Sequence, residues 1–572
     1  MPIPDALHDE ETHYGAFTPQ ANIGSEIREN LHYDTVRRYK NFCCGADAWW
    51  EYNAGTWTLS GNWITLTERG YPAVIPAGKC QRSSIQSVWT MYPGNGGRNN
   101  GTFPDGPYVF TYSGDVDNIS VNGTGVTVTS TNPGRIEFTS DGTATIYLEI
   151  SGTIYEELRD FVICEARYEG DWETGDLWYP EMRQELAGFS TFDLGIWFHG
   201  PAWPTTSTPY PTWDQVRSKD YYGYHTQPVA GAPTEYVAGS DYRHMPYEVQ
   251  ANLINWLGCN IWLTIPYWAS DDFTASMAEY FSQNLHPDAT IYIEYCGEPF
   301  WEGNSITPFS MGGKYCFDQG TLAAYPNPQV DFYVYRAQEL FTIFKEHSTH
   351  TVIACIVSKT INAGRPLWIE NLLAHVLAGH IDAADEWSTG FYVGCYIDYP
   401  GGGMGHTWNW WHTTGTADDV NNILNTQTLS QLTDFDTFVT TVAAMDLPIG
   451  LYEFGVAALV GGYEGQAAPV PAQADIIGDL VREAIQSEQA HWRITKIMNH
   501  VLEEAQGLCL WFCAPTCQDN QATWGLADTN LDLKRRRPIG EYIPHADHPR
   551  YYAMREFIRG DRHLTYMGAC RR

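Results

Sequence analysis

Two kinds of hydrophobic pattern divide the chain. From about residue 46 to 165, short runs alternate apolar and polar positions, Thr and Val are enriched, and Asn-Gly or Asp-Gly pairs separate the runs. Alternation with a period of two is typical of strands that bury one face, and these pairs favour tight hairpin turns. The pattern predicts a small all-β sandwich domain over residues 46–165.

A second pattern extends over residues 180–533. Seven continuous apolar runs alternate with amphipathic stretches of ten or more residues, which indicates parallel strands joined by helical crossovers. We expect an eighth strand between residues 200 and 245, and the fold class is then α/β: a (β/α)8 TIM barrel preceded by the sandwich, rather than an open sheet. The seven runs are 192–198, 260–268, 290–298, 350–358, 390–398, 447–455 and 507–515.

The two ends of the chain differ from both patterns. Residues 1–45 are polar without clear periodicity, so we interpret them as an N-terminal arm. Residues 534–572 form a basic tail, in which ten Lys or Arg residues stand against four acidic residues, a net charge of +6. Two interpretations stay open: the tail folds back on the acidic body, or it docks on an acidic neighbouring chain.

Charge and composition exclude several classes of function. The 572 residues include 33 Lys plus Arg and 68 Asp plus Glu, a net charge of −35, which disfavours a nucleic-acid partner. The start lacks the basic and apolar regions of a secretory signal, and no run of 18 apolar residues follows, so we expect no membrane partner. Localisation then lies between virion-associated and cytoplasmic. No GxGxxG or P-loop sequence opens a predicted helix, which disfavours nucleotide binding.

The 13 cysteines predict neither a disulfide framework nor a metal centre. Their number is odd, and Cys43 and Cys44 are adjacent, so we interpret most of them as buried thiols. Cys509, Cys513 and Cys517 are evenly spaced, but no second cluster with a usual zinc spacing accompanies them. We therefore expect no metal and no cofactor.

Two glutamates stand where a barrel carries its chemistry, at the C-terminal ends of strands. Glu298 ends the run TIYIEYCGE and Glu453 follows LPIGLY, on the predicted fourth and seventh strands, which face each other across the mouth. A retaining glycoside hydrolase needs such a pair, one carboxyl as acid and the other as nucleophile. Each glutamate has a structural alternative as a helix cap or an ion-pair partner. Glu294 competes for the acid role, but it lies one layer deeper.

Residues 245–303, from MPYEVQ to PFWEG, resemble a group of bacterial and phage-associated proteins related to glycoside hydrolase clan A. By that resemblance, Glu298 matches the acid/base and Glu453 the nucleophile. Two positions depart from the clan. Gly297 stands where an Asn usually binds the sugar 2-hydroxyl, and Tyr267 stands where a His is expected. The first departure removes a contact that strengthens in the transition state.

Aromatic residues provide candidate sugar-binding surfaces. Their flat rings with polar edges suit either sugar stacking or protein packing, and the sequence leaves both uses open. The candidate substrate-binding residues are Trp268, Tyr396, His406, Trp408, Trp410, Trp411 and Trp511.

Two functions follow from these features. The first is a retaining glycoside hydrolase-like protein that acts on or binds a polysaccharide or surface glycan through Glu298 and Glu453. The alternative is a virion structural or adhesive protein, associated with a phage tail or capsid, that uses a degenerate barrel for glycan binding or scaffolding. Homo-oligomeric or virion assembly belongs to the second function.

Overall fold

A computed structural model of the chain gives its fold. It describes residues 23–26, 189–193, 246–300, 311–358, 366–398, 417–461 and 504–511, most of 39–180 and 212–223, and residues 496, 500 and 501. Nineteen strands in this part of the chain are numbered β1 to β19. Eight of them form a closed barrel. These are β1 (Ile23–Glu26), β13 (Thr191–Asp193), β14 (Asn260–Ile265), β15 (Ile291–Tyr295), β16 (Val352–Ser358), β17 (Glu386–Asp398), β18 (Ile449–Gly461) and β19 (Cys509–Trp511).

The barrel is closed by its first strand. β1 pairs in parallel with β13 on one side and with β19 on the other, and every other neighbouring pair in the barrel is also parallel. The expected position of this strand, between residues 200 and 245, is therefore wrong. Residues 23–26 also lie inside the stretch interpreted as an arm. The segment Ile-Gly-Ser-Glu has one large apolar residue, so it carries no periodic signal.

Helices surround the barrel, and one apolar cluster joins them to the strands. Ile261 and Leu263 of β14 belong to the same buried cluster as residues of the helices, including Phe273 and Phe341. None of the described helices is long and apolar enough to cross a membrane. In chain order the helices are α1 (Asp171–Thr174), α2 (Tyr247–Leu257), α3 (Asp271–Asn284), α4 (Met311–Leu322), α5 (Pro328–His347), α6 (Pro366–Leu377) and α7 (Ala417–Val442).

The remaining strands, β2 to β12, form antiparallel sheets between β1 and β13. A seven-stranded sheet has the order β10-β11-β9-β12-β6-β2-β3, and β4-β5 and β7-β8 form two short ladders. The expected short strands in antiparallel pairing are present, and they form one large sheet and two small ones. The sandwich arrangement itself stays a prediction. The strands are β2 (Trp50–Asn53), β3 (Thr56–Thr58), β4 (Thr65–Leu66), β5 (Pro72–Val74), β6 (Cys80–Ile85), β7 (Trp89–Met91), β8 (Arg98–Asn100), β9 (Gly106–Asn122), β10 (Val126–Asn132), β11 (Arg135–Ser140) and β12 (Ile146–Glu165).

This β-region is inserted into the barrel rather than placed before it, because it follows the first barrel strand. It has its own apolar core, which includes Phe110, Phe138 and Phe161. Polar contacts also join it to the neighbouring segments. The buried ammonium of Lys40 lies 2.7 Å from the Asp171 carboxylate, and Trp178 Nε1 donates to Asn252 of α2 at 2.8 Å.

Candidate active site

The end of the fourth barrel strand carries an unusual turn. After Tyr295, the backbone of Cys296, Gly297 and Glu298 takes φ values of 78°, 34° and 51°. Left-handed backbone costs an L-residue about 1–2 kcal/mol, and glycine adopts it at no such cost. The backbone conformation therefore explains the glycine at position 297, because this residue stands between two others that are already left-handed. The turn ends β15 and starts the segment that carries Glu298.

Glu298 is buried at this end of the barrel and has a hydrogen-bond partner from another strand. Its side chain is 4% exposed, and the hydroxyl of Tyr452 donates to Oε1 at 3.1 Å. Tyr452 belongs to β18 and is itself 1% exposed, with its ring centroid 6.2 Å from that of Phe300. The contact fixes one oxygen of the Glu298 carboxyl in an aromatic surrounding and joins the fourth and seventh barrel strands.

Glu453 is the residue that follows Tyr452. Its backbone lies in β18 and pairs with Gly390 of β17. The pairing register shifts between Ser388 and Gly390, as in a β-bulge, so the regular alternation of side chains between the two faces of the sheet is interrupted here. The side chain of Glu453 lies outside the described part of the structure. What the structure gives is the position of its backbone, one residue from the contact to Glu298.

Glu294, the competing carboxyl, lies lower in the barrel. It is fully buried, pairs in register with Thr264 of β14, and accepts a 2.6 Å hydrogen bond from the Thr264 hydroxyl. It lies four positions before Glu298, within β15 rather than in the turn that follows the strand. A buried carboxyl bonded to the neighbouring strand anchors a polar network inside the barrel.

The residues expected to bind sugar fall into three groups. Trp268 is buried, at 6% exposed, and packs edge-on against Phe273 with ring centroids 4.9 Å apart, so its ring belongs to the apolar packing instead of an open sugar platform. For Tyr396 and Trp511 the structure describes the backbone alone, in β17 and β19. The rest lie outside the described residues: His406, Trp408, Trp410 and Trp411.

Sequence reasoning missed two features. The hydrogen bond from Tyr452 to Glu298 joins residues 154 positions apart, so no local pattern announces it. The second is Glu386, the first residue of β17, which is 3% exposed and bonded by the Ser388 hydroxyl at 2.7 Å and the Leu508 N–H at 3.1 Å. Burial raises its pKa to about 7. It lies near the opposite end of the barrel from Glu298, since it begins β17 and is bonded by Leu508, the residue before β19 begins.

The described side chains provide no metal centre. No three His, Cys, Asp or Glu residues in the described part of the chain are arranged to hold a metal ion. Cys509, one of the evenly spaced cysteines, is a buried thiol, and burial raises its pKa.

No protein-family model matches this chain, and a comparison with the curated proteins finds no match. Among solved structures, it is similar to GH10 from Paenibacillus barcinonensis, with 12% identity and a TM-score of 0.33 over 65% of this chain and 88% of that one. It is also similar to the CBM22-1 and GH10 modules of Clostridium thermocellum endo-1,4-beta-D-xylanase 10B, with 10% identity and a TM-score of 0.33 over 92% and 97%. A third similar structure is a hyperthermophilic beta-glucosidase from Pyrococcus furiosus, with 12% identity and a TM-score of 0.33 over 69% of this chain and 84% of that one. These TM-scores are low, so the function of this chain is inferred from its own residues.

Proposed function

We propose that this chain is a retaining glycoside hydrolase-like protein that acts on or binds a polysaccharide through Glu298 and Glu453. One observation carries the proposal. Glu298 is buried at the C-terminal end of the fourth barrel strand, and its carboxyl accepts a hydrogen bond from Tyr452, the residue before Glu453 on the seventh strand. In barrels of this type, catalytic groups come from the C-terminal ends of different strands.

Each glutamate has a defined role in this proposal. Glu298, in its protonated form, gives its proton to the leaving oxygen while the Glu453 carboxylate attacks the anomeric carbon and forms a glycosyl-enzyme. Glu298 then takes a proton from the water that releases the sugar. The reaction requires the two carboxyl groups to be about 5–5.5 Å apart. The hydrogen bond from Tyr452 to Oε1 holds the Glu298 carboxyl in place beside the seventh strand.

The proposed sugar-binding surface comes from the sixth and eighth strands and the segment after the sixth. Tyr396 lies near the C-terminal end of β17 and Trp511 ends β19, so both backbones lie at the same end of the barrel as Glu298. We include in this surface the residues of the following segment, His406, Trp408, Trp410 and Trp411. The flat rings of these residues are suited to stacking on sugar rings.

The test is turnover of a panel of plant, algal and bacterial polysaccharides by the full chain and by Glu298→Ala and Glu453→Ala. Because general acid–base catalysis contributes about 10²–10⁴-fold, we expect Glu298→Ala to lose turnover of that order. Glu453→Ala lacks the nucleophile and should lose at least as much. Azide, a small anionic nucleophile, distinguishes the two roles. It should yield a glycosyl azide of retained configuration with Glu298→Ala and of inverted configuration with Glu453→Ala. Glu346→Gln, on the exposed side of α5, is the control and should keep full turnover. Background product from all four proteins contradicts the enzymatic role.

A second candidate function is favoured by Gly297. A glycine supplies no side-chain amide to a sugar 2-hydroxyl, so a barrel of this kind can hold glycan without stabilising the transition state. The candidate is a virion structural or adhesive protein that uses the barrel for glycan binding or scaffolding. It predicts polysaccharide binding without product, together with self-association measured by light scattering. A monomer that releases product contradicts it.

A further inference from the structure

Two cysteine side chains meet beside the turn that carries Glu298. Cys296 Sγ lies 3.6 Å from Cys316 Sγ, and both residues are buried, at 4% and 0% exposed. Both are free thiols. Cys296 is the first residue of the left-handed turn, and Cys316 belongs to helix α4. The two sulfurs thus connect the turn to a helix that follows it in the chain.

The contact between the sulfurs depends on a glycine in the same helix. Gly312 and Cys316 are four positions apart and share one face of α4. A Cβ at position 312 would lie 2.6 Å from Cys296 Sγ and closer still to the carbonyl oxygen of Cys296. Gly312 therefore lets the helix approach until it touches the backbone of the turn. At that separation the two thiols are within hydrogen-bond distance of each other, and either one can be the donor.

We propose that Cys296 and Cys316 are a modification site: they form a reversible disulfide that ties helix α4 to the turn carrying Glu298. In the reaction the two thiols lose two protons and two electrons, and one S–S bond forms. A low-molecular-weight disulfide such as oxidised glutathione accepts the electrons and protons and leaves as two thiols. The sulfurs then approach from 3.6 Å to about 2.05 Å.

This approach has a direct consequence for Glu298. The turn and helix α4 must together take up a displacement of roughly 1.5 Å. Cys296 and Glu298 belong to the same left-handed turn and only Gly297 lies between them, so the displacement reaches the Glu298 carboxyl. Misplacement of a catalytic group by about 1 Å costs on the order of 10²-fold in rate. This effect on turnover, unlike the disulfide itself, rests on the proposed function.

The reaction is slow in the folded protein. Burial raises the pKa of Cys296, so its thiol stays protonated near neutral pH, and exchange proceeds through the thiolate. Local opening of α4 or a higher pH therefore accelerates it. The pair is stable as dithiol in reducing surroundings and closes on prolonged exposure to an oxidant.

The experiment incubates the full chain with oxidised glutathione, blocks the remaining thiols in denaturant, and maps the peptides by mass spectrometry. We expect a linked peptide pair containing Cys296 and Cys316 and a higher Tm than in the reduced protein. Dithiothreitol should separate the two peptides again and lower the Tm to that of the reduced protein. Cys316→Ser should give no linked pair. Cys355→Ser, an equally buried thiol on β16, is the control and should give the same pair as the wild type.

These readouts need no activity, so they stand apart from the test of the proposed function. A map in which Cys296 and Cys316 are both recovered blocked after oxidation overturns the proposal, and so does Cys296 linked to another cysteine. If the protein turns over a polysaccharide, oxidation should lower its turnover about 10²-fold in the wild type and leave Cys316→Ser unchanged. A linked pair with unaltered turnover overturns the claimed effect on Glu298.

Discussion

Two buried glutamates at opposite ends of the barrel have different surroundings. Glu298 lies past the C-terminal end of its strand, and its carboxyl accepts a hydrogen bond from a tyrosine hydroxyl. Glu386 begins its strand and is bonded by a serine hydroxyl and a backbone N–H. Glycines at positions 450 and 507 make room for it, because a Cβ at Gly507 would lie 2.6 Å from its carboxyl carbon. The Glu386 carboxyl is thus buried, hydrogen-bonded at both oxygens and packed against two glycines, which suits a structural role.

The raised pKa of Glu386 makes stability depend on pH. Its pKa is about 7 in the folded protein and 4.5 when unperturbed, so the folded state binds the proton more tightly. Its stabilising contribution is complete below pH 4.5 and is lost as the pH rises through 7. We expect Glu386→Gln to remove this dependence, worth about 3 kcal/mol between these limits at 1.36 kcal/mol per pKa unit. The measurement is urea unfolding at pH values from 4.5 to 8.

The glutamine fits the same hydrogen bonds. Its amide oxygen accepts from the Leu508 N–H, and its amide nitrogen donates to Ser388, whose hydroxyl accepts as well as donates. Glu346→Gln, an exposed substitution, is the control and should follow the wild-type profile. Parallel pH profiles for the wild type and Glu386→Gln would contradict the assignment of the titration to this residue.

At the scale of elements, helix α3 begins with a complete set of N-terminal signals. The Ser270 hydroxyl accepts a hydrogen bond from the Phe273 N–H at 3.1 Å, and Asp271 and Asp272 occupy the first turn. A serine cap satisfies one of the free N–H groups, and the carboxylates interact favourably with the helix dipole. The helix starts just after the third barrel strand, so its cap also fixes the path of the segment that holds Trp268.

Removal of this cap should weaken the protein by a defined amount. We expect Ser270→Ala to lower the free energy of unfolding by about 1 kcal/mol, because the Phe273 N–H loses its partner. Ser270→Asp restores an acceptor at the same position and should recover most of the loss. Chemical unfolding of the three proteins at one pH measures the difference. An alanine variant as stable as the wild type would mean that water replaces the serine without cost.

The elements differ in how much of them the sequence reveals. Helix α3 is predictable because its cap, its acidic first turn and its apolar spacing all lie within fifteen residues. The strands that bury both faces, such as β14 and β16, are predictable from continuous apolar runs. β1 is not, since four residues carry no period, and their strand conformation comes from pairing with β13 and β19 at distant positions.

The candidate site shows the same division. The position of Glu298 after the end of its strand follows from a local run and the general geometry of barrels. The expected strand-end position of Glu453 is wrong, because β18 continues to Gly461 and Glu453 is its fifth residue. The tyrosine contact to Glu298 and the packing of Trp268 depend on which side chains meet after folding, and one strand or loop does not determine that. The left-handed turn at residues 296–298 is likewise set by the helix packed against it.

At the scale of the whole molecule, the barrel and the β-region depend on each other through the order of the chain. The first barrel strand precedes the β-region and the second follows it, so the pairing of β1 with β13 joins chain segments on both sides of the inserted sheets. The apolar cluster of the barrel also takes in Val162 and Cys164 from β12. We therefore expect the two parts to unfold together rather than in separate steps.

The N-terminal segment then has a measurable role in closing the barrel. A chain that begins at Tyr39 keeps Lys40 and its contacts to Asp171 but lacks β1, so β13 and β19 each expose an unpaired edge. β1 pairs two residues with β13 and three with β19. At about 1 kcal/mol for each backbone hydrogen bond, the loss is on the order of 5 kcal/mol.

We expect this truncated chain to unfold at a lower urea concentration than the full chain and to associate through its open edges. A chain that begins at Gln20 keeps β1 and is the matched control, which should unfold like the full chain. Urea unfolding and light scattering measure the two effects. Equal midpoints for the chains beginning at Tyr39 and Gln20, with both monomeric, would show that the barrel does not need β1, and the segment would then be the dispensable arm that its polar sequence suggests.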